Sequence, residues 1–322
     1  MLPSKYDWIF ICVVFTYSSI TIVGGAAATF QRNPAIPSNS SCGYQEADKE
    51  CTDCTTPKPG TNTLIRRVFG GREALINEFP WMALLGYTNS KGDKKWGCGG
   101  SIINSRYVLT AAHCVAMIPK QYGKLTSIVL GEHDTNHDVD CGEGKNGGEI
   151  CNVKPTTVEI EKVIVHPTYN NEDIAPYDIA LVRLKEELPF TTYIQPICLP
   201  EPEHELSETV PLTTAGWGLM ENHQHTTKKR TVDLLYQGNE RCENVFSSEG
   251  LKLINSQICA GDDAKDTCAG DSGGPLMIKL GDKPRWFQVG IVSFGGTECG
   301  VNPAVYTRVM DFVKWVHETV KP

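Results

Sequence analysis

No long basic stripe runs through this chain of 322 residues, whose formal net charge is −8. That absence argues against nucleic acid as a partner, because binding it needs a clustered cationic face. The short run Lys228-Lys229-Arg230 reads as a solvated loop or a nick site. Zinc spacing is missing as well. Cys51 and Cys54 form a Cys-x-x-Cys pair, but no second pair stands at zinc distance and no α/β pattern surrounds them, which leaves disulfide use. Helical periodicity is scarce. Only Val309, Phe312, Val313, Val316 and Val320 fall at helical spacing, near the C-terminus. What remains is short apolar runs such as Trp81–Leu85, Ile128–Leu130, Ile179–Val182 and Val289–Val292, punctuated by Gly, Pro, Asn and Asp. Such text predicts strands and an all-β chain with one terminal helix.

Thirteen cysteines would leave one without a mate. Cys12, however, lies in an N-terminal stretch that is largely apolar from Ile9 to Ile22, preceded by Lys5 and followed by Ala26-Ala27-Ala28. This is the pattern of a secretory signal peptide, taken here as residues 1–28. Its removal leaves an even number of cysteines, as an oxidised secreted protein requires. A signal anchor is the competing reading, since the stretch approaches the ~20 residues that span a bilayer. Thr16, Tyr17, Ser18, Ser19 and Thr21 dilute its apolar character. On both readings the rest of the chain faces an oxidising, extracellular space. Residues 29–67 are rich in Pro, Thr, Ser and Asn and hold Cys42, Cys51 and Cys54. They read as an extended, disulfide-tethered segment without a core of its own. Asn39-Ser40-Ser41 is a glycosylation acceptor within it.

Three strings carry chemistry. Gly270-Asp271-Ser272-Gly273-Gly274-Pro275 sets a serine in a glycine-rich turn where backbone N–H groups can face a carbonyl. Thr110-Ala111-Ala112-His113-Cys114 supplies a base, and Tyr177-Asp178-Ile179-Ala180-Leu181 an acid to hold it in one tautomer. Serine is a poor nucleophile until a base takes its proton. On these strings, in the order His, Asp, Ser, the chain resembles the chymotrypsin-like serine endopeptidases from Val68 to near its C-terminus.

The resemblance implies two packed six-stranded antiparallel β-barrels and a protease domain over 68–322. It assigns Ser272 as nucleophile, His113 as base and then acid, and Asp178 as orienting carboxylate, with Ser293 hydrogen-bonded to Asp178. The N–H groups of Gly270 and Ser272 become the oxyanion hole. Leu64-Ile65-Arg66-Arg67-Val68-Phe69-Gly70-Gly71 resembles a zymogen activation site, cut after Arg67 so that the new ammonium of Val68 pairs with Asp271. Asp266, six residues before Ser272, matches the acid at the base of the trypsin-type specificity pocket, with Ser293, Gly295 and Ala304 along its wall. Phe294 stands where the family commonly has Trp, and Ala304 where trypsin-like members have Gly; the added methyl implies a narrower slot that favours Arg over Lys. Implied disulfides are Cys98–Cys114, Cys141–Cys151, Cys242–Cys259 and Cys268–Cys299. Cys198 is left to one of Cys42, Cys51 and Cys54, and which one stays open.

Gly131 to Cys141 gathers oxygen-rich side chains and resembles the family's calcium loop, with Glu132, Asp134 and Asp138 as ligands and Asp140 as a helper. Catalysis itself needs no cofactor. The tethered segment and the cystine-closed insertion look most like arthropod clip-type cascade proteases. A clip domain needs six cysteines, however, and only three stand between the signal peptide and Arg67, so the clip is missing or reduced. The expectation is a secreted trypsin-like zymogen in an extracellular cascade of innate immunity, melanisation or Toll type. It would cut proteins after Arg or Lys, answer to an upstream protease and serpin-type inhibitors, and bind neither nucleic acid nor membrane. A digestive or venom protease, and a catalytically silent homologue that binds a partner, are the alternatives.

Overall fold

A computed structural model describes residues 30–45, 71–143, 148–170, 175–202, 205–207, 211–219, 224–247, 250, 252–261, 270–282, 284–296 and 301–322. The stretch 1–28, the Arg67–Val68 bond, Asp266, and Cys51, Cys54, Cys268 and Cys299 lie outside the described residues.

The first half of the domain contains β1 (Arg72–Glu73), β2 (Met82–Thr88), β3 (Lys94–Asn104), β4 (Tyr107–Thr110), α1 (His113–Ala116), β5 (Lys124–Leu130), β6 (Cys141–Glu143), β7 (Glu149–Cys151), β8 (Thr156–Val165) and β9 (Ala180–Leu184). The second contains β10 (Pro211–Gly216), β11 (Arg230–Gln237), α2 (Asn239–Val245), β12 (Gln257–Ala260), β13 (Pro275–Leu280), β14 (Arg285–Phe294), β15 (Ala304–Arg308) and, after a 3-10 turn, α3 (Val313–Thr319).

Strands β2-β3-β4-β9-β8-β5 close into one antiparallel barrel. A second set runs β11-β10-β13-β14-β15-β12, and pairing of Tyr236 with Ala260 and Gln237 with Cys259 joins its ends, so it closes too. Closure leaves no unpaired edges among the barrel strands. β1 is an outer addition, pairing with β11 at Arg72↔Thr231. The second barrel is filled by Leu212, Leu234, Ile258, Leu276, Val289 and Tyr306, each at most 2% exposed.

The C-terminal stripe is buried at all five valine and phenylalanine positions. It forms in two pieces, a 3-10 turn over Val309–Phe312 and then α3. α1 and α2 were not legible as helices. Four and seven residues give a periodic pattern too little length, and covalent pins hold them instead: Cys98–Cys114 for α1 and Cys242–Cys259 for α2.

Cys198 bonds Cys42, across a sequence separation of 156. The segment around Cys42 runs through successive turns and is tied to the body by its backbone. Gly43 N–H donates to Pro196 O (2.8 Å), Trp286 N–H donates to Gly43 O (3.1 Å) and Phe79 N–H donates to Gln45 Oε1 (3.1 Å). Asn33 fastens the same segment to the end of α3, its amide donating to the carbonyls of His317 and Val320, both at 2.8 Å.

One sequence reading needs correction. Lys228-Lys229-Arg230 is not a solvated loop: Lys229 and Arg230 are 3% and 8% exposed, and Arg230 begins β11. The physical reason is charge complementarity with the acidic loop 132–140. Lys228 bridges to Asp134 through the backbone and sets Nζ 3.0 Å from Glu73 Oε1, while Lys229 N–H donates to His133 O at 2.7 Å.

Candidate active site

The two barrels meet where the turn before β13 touches β3 and β4. Gly99 N–H donates to Ser272 O (2.8 Å), and Thr110 Oγ1 donates to Gly99 O (2.8 Å). Gly273 makes this approach possible. Its φ is +77°, and a Cβ there would stand 2.3 Å from Thr110 Oγ1 and 2.6 Å from Gly99 O. The motif's glycine is thus a packing requirement that places Ser272 on the seam.

Asp178 lies two residues before β9, with no exposure. Tyr177 before it has φ +59°, a left-handed conformation that costs a non-glycine residue about 1–2 kcal/mol. The Tyr177 ring stacks on His166 at 5.7 Å and meets Phe312 edge-on at 6.1 Å, contacts that hold it in place. The turn aims the Asp178 carboxylate at α1. Oδ1 accepts the backbone N–H of His113 (2.9 Å), and Oδ2 lies 2.8 Å from His113 Nδ1 and accepts Ser293 Oγ–H (2.6 Å). Ser293 sits at a bulge between β14 and β15, where the register shifts between Val292 and Phe294, and this frees its side chain to turn inward. Thr307 Oγ1, which no sequence motif marked, donates to the main-chain oxygen of Asp178 at 2.8 Å.

Burial by itself would raise the Asp178 carboxyl. The hydrogen bond and charge of His113, the Ser293 hydroxyl and the His113 N–H outweigh it and leave the group below the ordinary aspartate range. An ionised carboxylate accepts and never donates, so Nδ1 carries the imidazole proton and Nε2 keeps its lone pair. Nε2 lies 3.5 Å from Cys114 Sγ, a bridged sulfur with no proton to give. The same bridge disqualifies the cluster Cys98, His113 and Cys114 as a metal site. His113 and Ser272 line one cavity of about 240 Å³.

Asp271 is 8% exposed, and its Oδ1 accepts the N–H of Gly218 at 2.9 Å. A Cβ on Gly218 would sit 2.4 Å from Oδ2 and 2.7 Å from Oδ1, so the carboxylate packs directly on that backbone. Gly270 has φ +102°. Along the expected pocket wall, Gly295 follows β14, and Ala304 opens β15 at 2% exposure, paired with Ala260. Asn39 accepts from the Arg32 guanidinium at 3.4 Å.

The acidic loop divides its carboxylates. Asp134, His137 and Asp140 bring one ligand atom each to within 4.8 Å of one another, beside a cavity of about 470 Å³. Asp138 is turned to the surface and paired with Lys154 at 2.8 Å, so it stands apart from that group. Calcium takes six to eight oxygens, and the gathered side chains supply two carboxylates, an imidazole and, beside them, Glu132. Burial lifts the Glu132 carboxyl to about 6, against the His133 N–H, with Asp140 adding repulsion. Burial likewise brings the Lys229 ammonium down to about 8, against the attraction of Glu78, Glu132 and Asp140. Lys229 belongs to no motif that marks it as part of this site. Its signal was the opposite signs of the 132–140 and 228–230 strings.

The family model described as Trypsin matches residues 68–316. The chain is 42% identical over 275 residues to "Serine protease 7" of Drosophila melanogaster, covering 83% of this chain and 68% of that one. It is 38% identical over 304 residues to "Phenoloxidase-activating factor 1" of Holotrichia diomphalia, covering 92% and 77%. Among solved structures it is similar to the Drosophila Grass clip serine protease of the Toll pathway. There the TM-score is 0.68 and the identity 30%, covering 91% of this chain and 75% of that one.

Proposed function

Because the chain belongs to the trypsin family and is a serine protease, we propose that it is a secreted zymogen, activated by cleavage after Arg67, that cuts protein substrates after Arg, or Lys, within an extracellular cascade. The observation that carries this reading is the Asp178 carboxylate. It is buried and ionised, and His113 and Ser293 hold it at 2.8 and 2.6 Å. It fixes the His113 tautomer so that Nε2 keeps its lone pair, and His113 lines the cavity that Ser272 shares.

In the proposed mechanism, His113 Nε2 takes the Ser272 hydroxyl proton as Oγ attacks the scissile carbonyl. The carbonyl oxygen, now negative, is met by the N–H groups of Gly270 and Ser272; one such donor is worth roughly 10²–10³ in rate. His113 then returns the proton to the departing amine, and water repeats the sequence on the acyl-enzyme. Asp178 stays ionised throughout and stabilises the imidazolium.

Regulation follows from charge creation. A peptide nitrogen at Val68 is neutral, whereas the amine freed by cleavage is a cation suited to Asp271. Loss of one member of a buried pair costs about 3–5 kcal/mol, enough to control the order of the segment that leads into Ser272. For substrate choice, the spacing Asp266-Thr267-Cys268-Ala269-Gly270 supports a cationic side chain before the cut bond. The names of relatives support the cascade: a phenoloxidase-activating factor, and a "Spaetzle-processing enzyme" of Drosophila at 38% identity. The Cys42–Cys198 bond would keep the amino-terminal segment attached after cleavage.

The test is amidase activity on Arg, Lys and Phe peptides before and after controlled cleavage at Arg67-Val68, with Ser272→Ala as control. Activity on Arg that appears only after cleavage, and never in the control, is the expected result. Confirmed cleavage without activity on any of them would overturn the reading in favour of a non-catalytic partner.

A further inference from the structure

We infer that His166 is a positioning residue for the reaction: its ring holds the left-handed turn at Tyr177, and through that turn it sets the Asp178 carboxylate against His113. The inference rests on the reading of Asp178 as the acid that orients the base.

The turn has to be held. Ile179 N–H donates to Tyr177 O at 2.8 Å, which closes a three-residue turn around Asp178. Tyr177 stands in it at φ +59°, a conformation that a bulky side chain keeps only where its surroundings enforce it. Tyr177 is also 36% exposed, so general burial does not enclose it. Its ring lies on His166 at 5.7 Å, with the two planes 12° apart, and meets Phe312 edge-on at 6.1 Å.

His166 is placed to give that support. Its backbone N–H donates to Ile179 O at 3.1 Å, which fastens it just past Asp178. Its Nδ1 lies 2.8 Å from Thr168 Oγ1 and accepts the Thr168 N–H at 3.4 Å, so the ring has a set orientation. A nitrogen that accepts carries no proton, and burial draws the pKa of the imidazole down, which leaves the ring neutral. Phe312, in the 3-10 turn, meets this ring at 5.1 Å and 84°; Trp315, on α3, meets it at 4.9 Å and 66°. Such separations and angles are those that aromatic pairs prefer. The C-terminal elements therefore back the imidazole, and the imidazole backs Tyr177.

A shift at Tyr177 passes directly to the next residue. Asp178 Oδ1 accepts the His113 backbone N–H at 2.9 Å while Oδ2 faces Nδ1 at 2.8 Å. Both contacts must be met together, so a rotation of the turn that loses either one misorients the imidazole. Ser293 and Thr307 hold Asp178 itself. His166 acts one residue earlier, through Tyr177.

The experiment uses the full chain cut at Arg67, with kcat on an Arg amide referred to titrated active sites. His166→Ala should lower kcat by about tenfold or more and leave KM nearly unchanged, the scale on which a small misplacement away from the chemistry is felt. His166→Leu, which fills the space without a planar ring, should lose a similar factor. His166→Phe keeps the stack and should restore most of kcat. In a Tyr177→Gly background, His166→Ala should change kcat far less, because glycine holds a positive φ without support. Unchanged kcat in His166→Ala, His166→Leu as active as His166→Phe, or an equal loss in both backgrounds would overturn this inference and leave the proposed function standing. Failure of the cut wild-type chain to cleave the Arg amide would overturn the proposed function itself.

Discussion

Lys229→Met should stabilise this protein, against the intuition that a lysine among three carboxylates is a favourable salt bridge. The ammonium is enclosed at 3% exposure, and its pKa falls from the ordinary 10.5 to about 8. Burial is the largest cause, and the attraction of Glu78, Glu132 and Asp140 opposes it without winning. That attraction is therefore already counted in the shift. In the folded protein the group gives up its proton through pH 8, and in the unfolded chain only through 10.5. Between those values the unfolded chain binds the extra proton, so stability rises with pH there, and the full penalty applies below pH 8. A drop of about 2.5 units corresponds to roughly 3 kcal/mol at pH 7. Methionine keeps the length of the stem and removes the charge, so it should recover about that amount, or roughly 6–12 °C in melting temperature for a domain of this size. Urea unfolding of wild type and Lys229→Met, both carrying Ser272→Ala to prevent self-digestion, measures it. The gain should fall below about 1 kcal/mol at pH 10, where wild type has already lost its proton in the folded state. A loss of stability at pH 7 would refute the reasoning, and so would a gain that is the same at both pH values.

Ser293→Ala removes a 2.6 Å hydrogen bond to an ionised acceptor and should cost about 1.5–3 kcal/mol at neutral pH. Asp178 is depressed in the folded state, so its contribution is present above the unfolded aspartate value and lost as pH falls through the folded one; the gap between variant and wild type in urea melts should therefore close in acid. Gly218→Ala drives a methyl against both Asp271 oxygens and should cost about 1–3 kcal/mol as overpacking, with a reduced fraction of titratable active sites after cleavage at Arg67. Millimolar calcium should raise the melting temperature, and chelation should reverse it. Asp140→Asn should abolish that gain while Asp138→Asn keeps it, since Asp138 faces Lys154 and not the group around Asp134.

What could be read from the sequence divides along a physical line. Covalent and steric requirements write themselves locally. The Gly-Asp-Ser-Gly-Gly string is legible because Gly273 must pass within reach of Thr110 and Gly99, and Ser272 has no other way onto the seam. Two barrels are legible only through family resemblance, since the closing pairs Tyr236↔Ala260 and Gln237↔Cys259 leave no periodic trace. Choices among equivalent chemistries stay hidden. Three cysteines could have met Cys198, and Cys42 does so because Gly43 pairs with both Pro196 and Trp286 beside it. Charge is hidden in another way. Lys228-Lys229-Arg230 reads as a solvated loop and the acids of 132–140 as a calcium loop, and nothing in either string points to the other. Only the fold sets Lys229 on the loop, through its N–H to His133 O. The same pairing turns a cationic run into part of the interior, while Asp140 lies with Asp134 and His137 and Asp138 is turned to Lys154. A search for local motifs finds groups that act on a substrate, because those need a fixed local geometry. It passes over groups that act on one another across the chain, as Lys229 does with the charges of Glu78, Glu132 and Asp140.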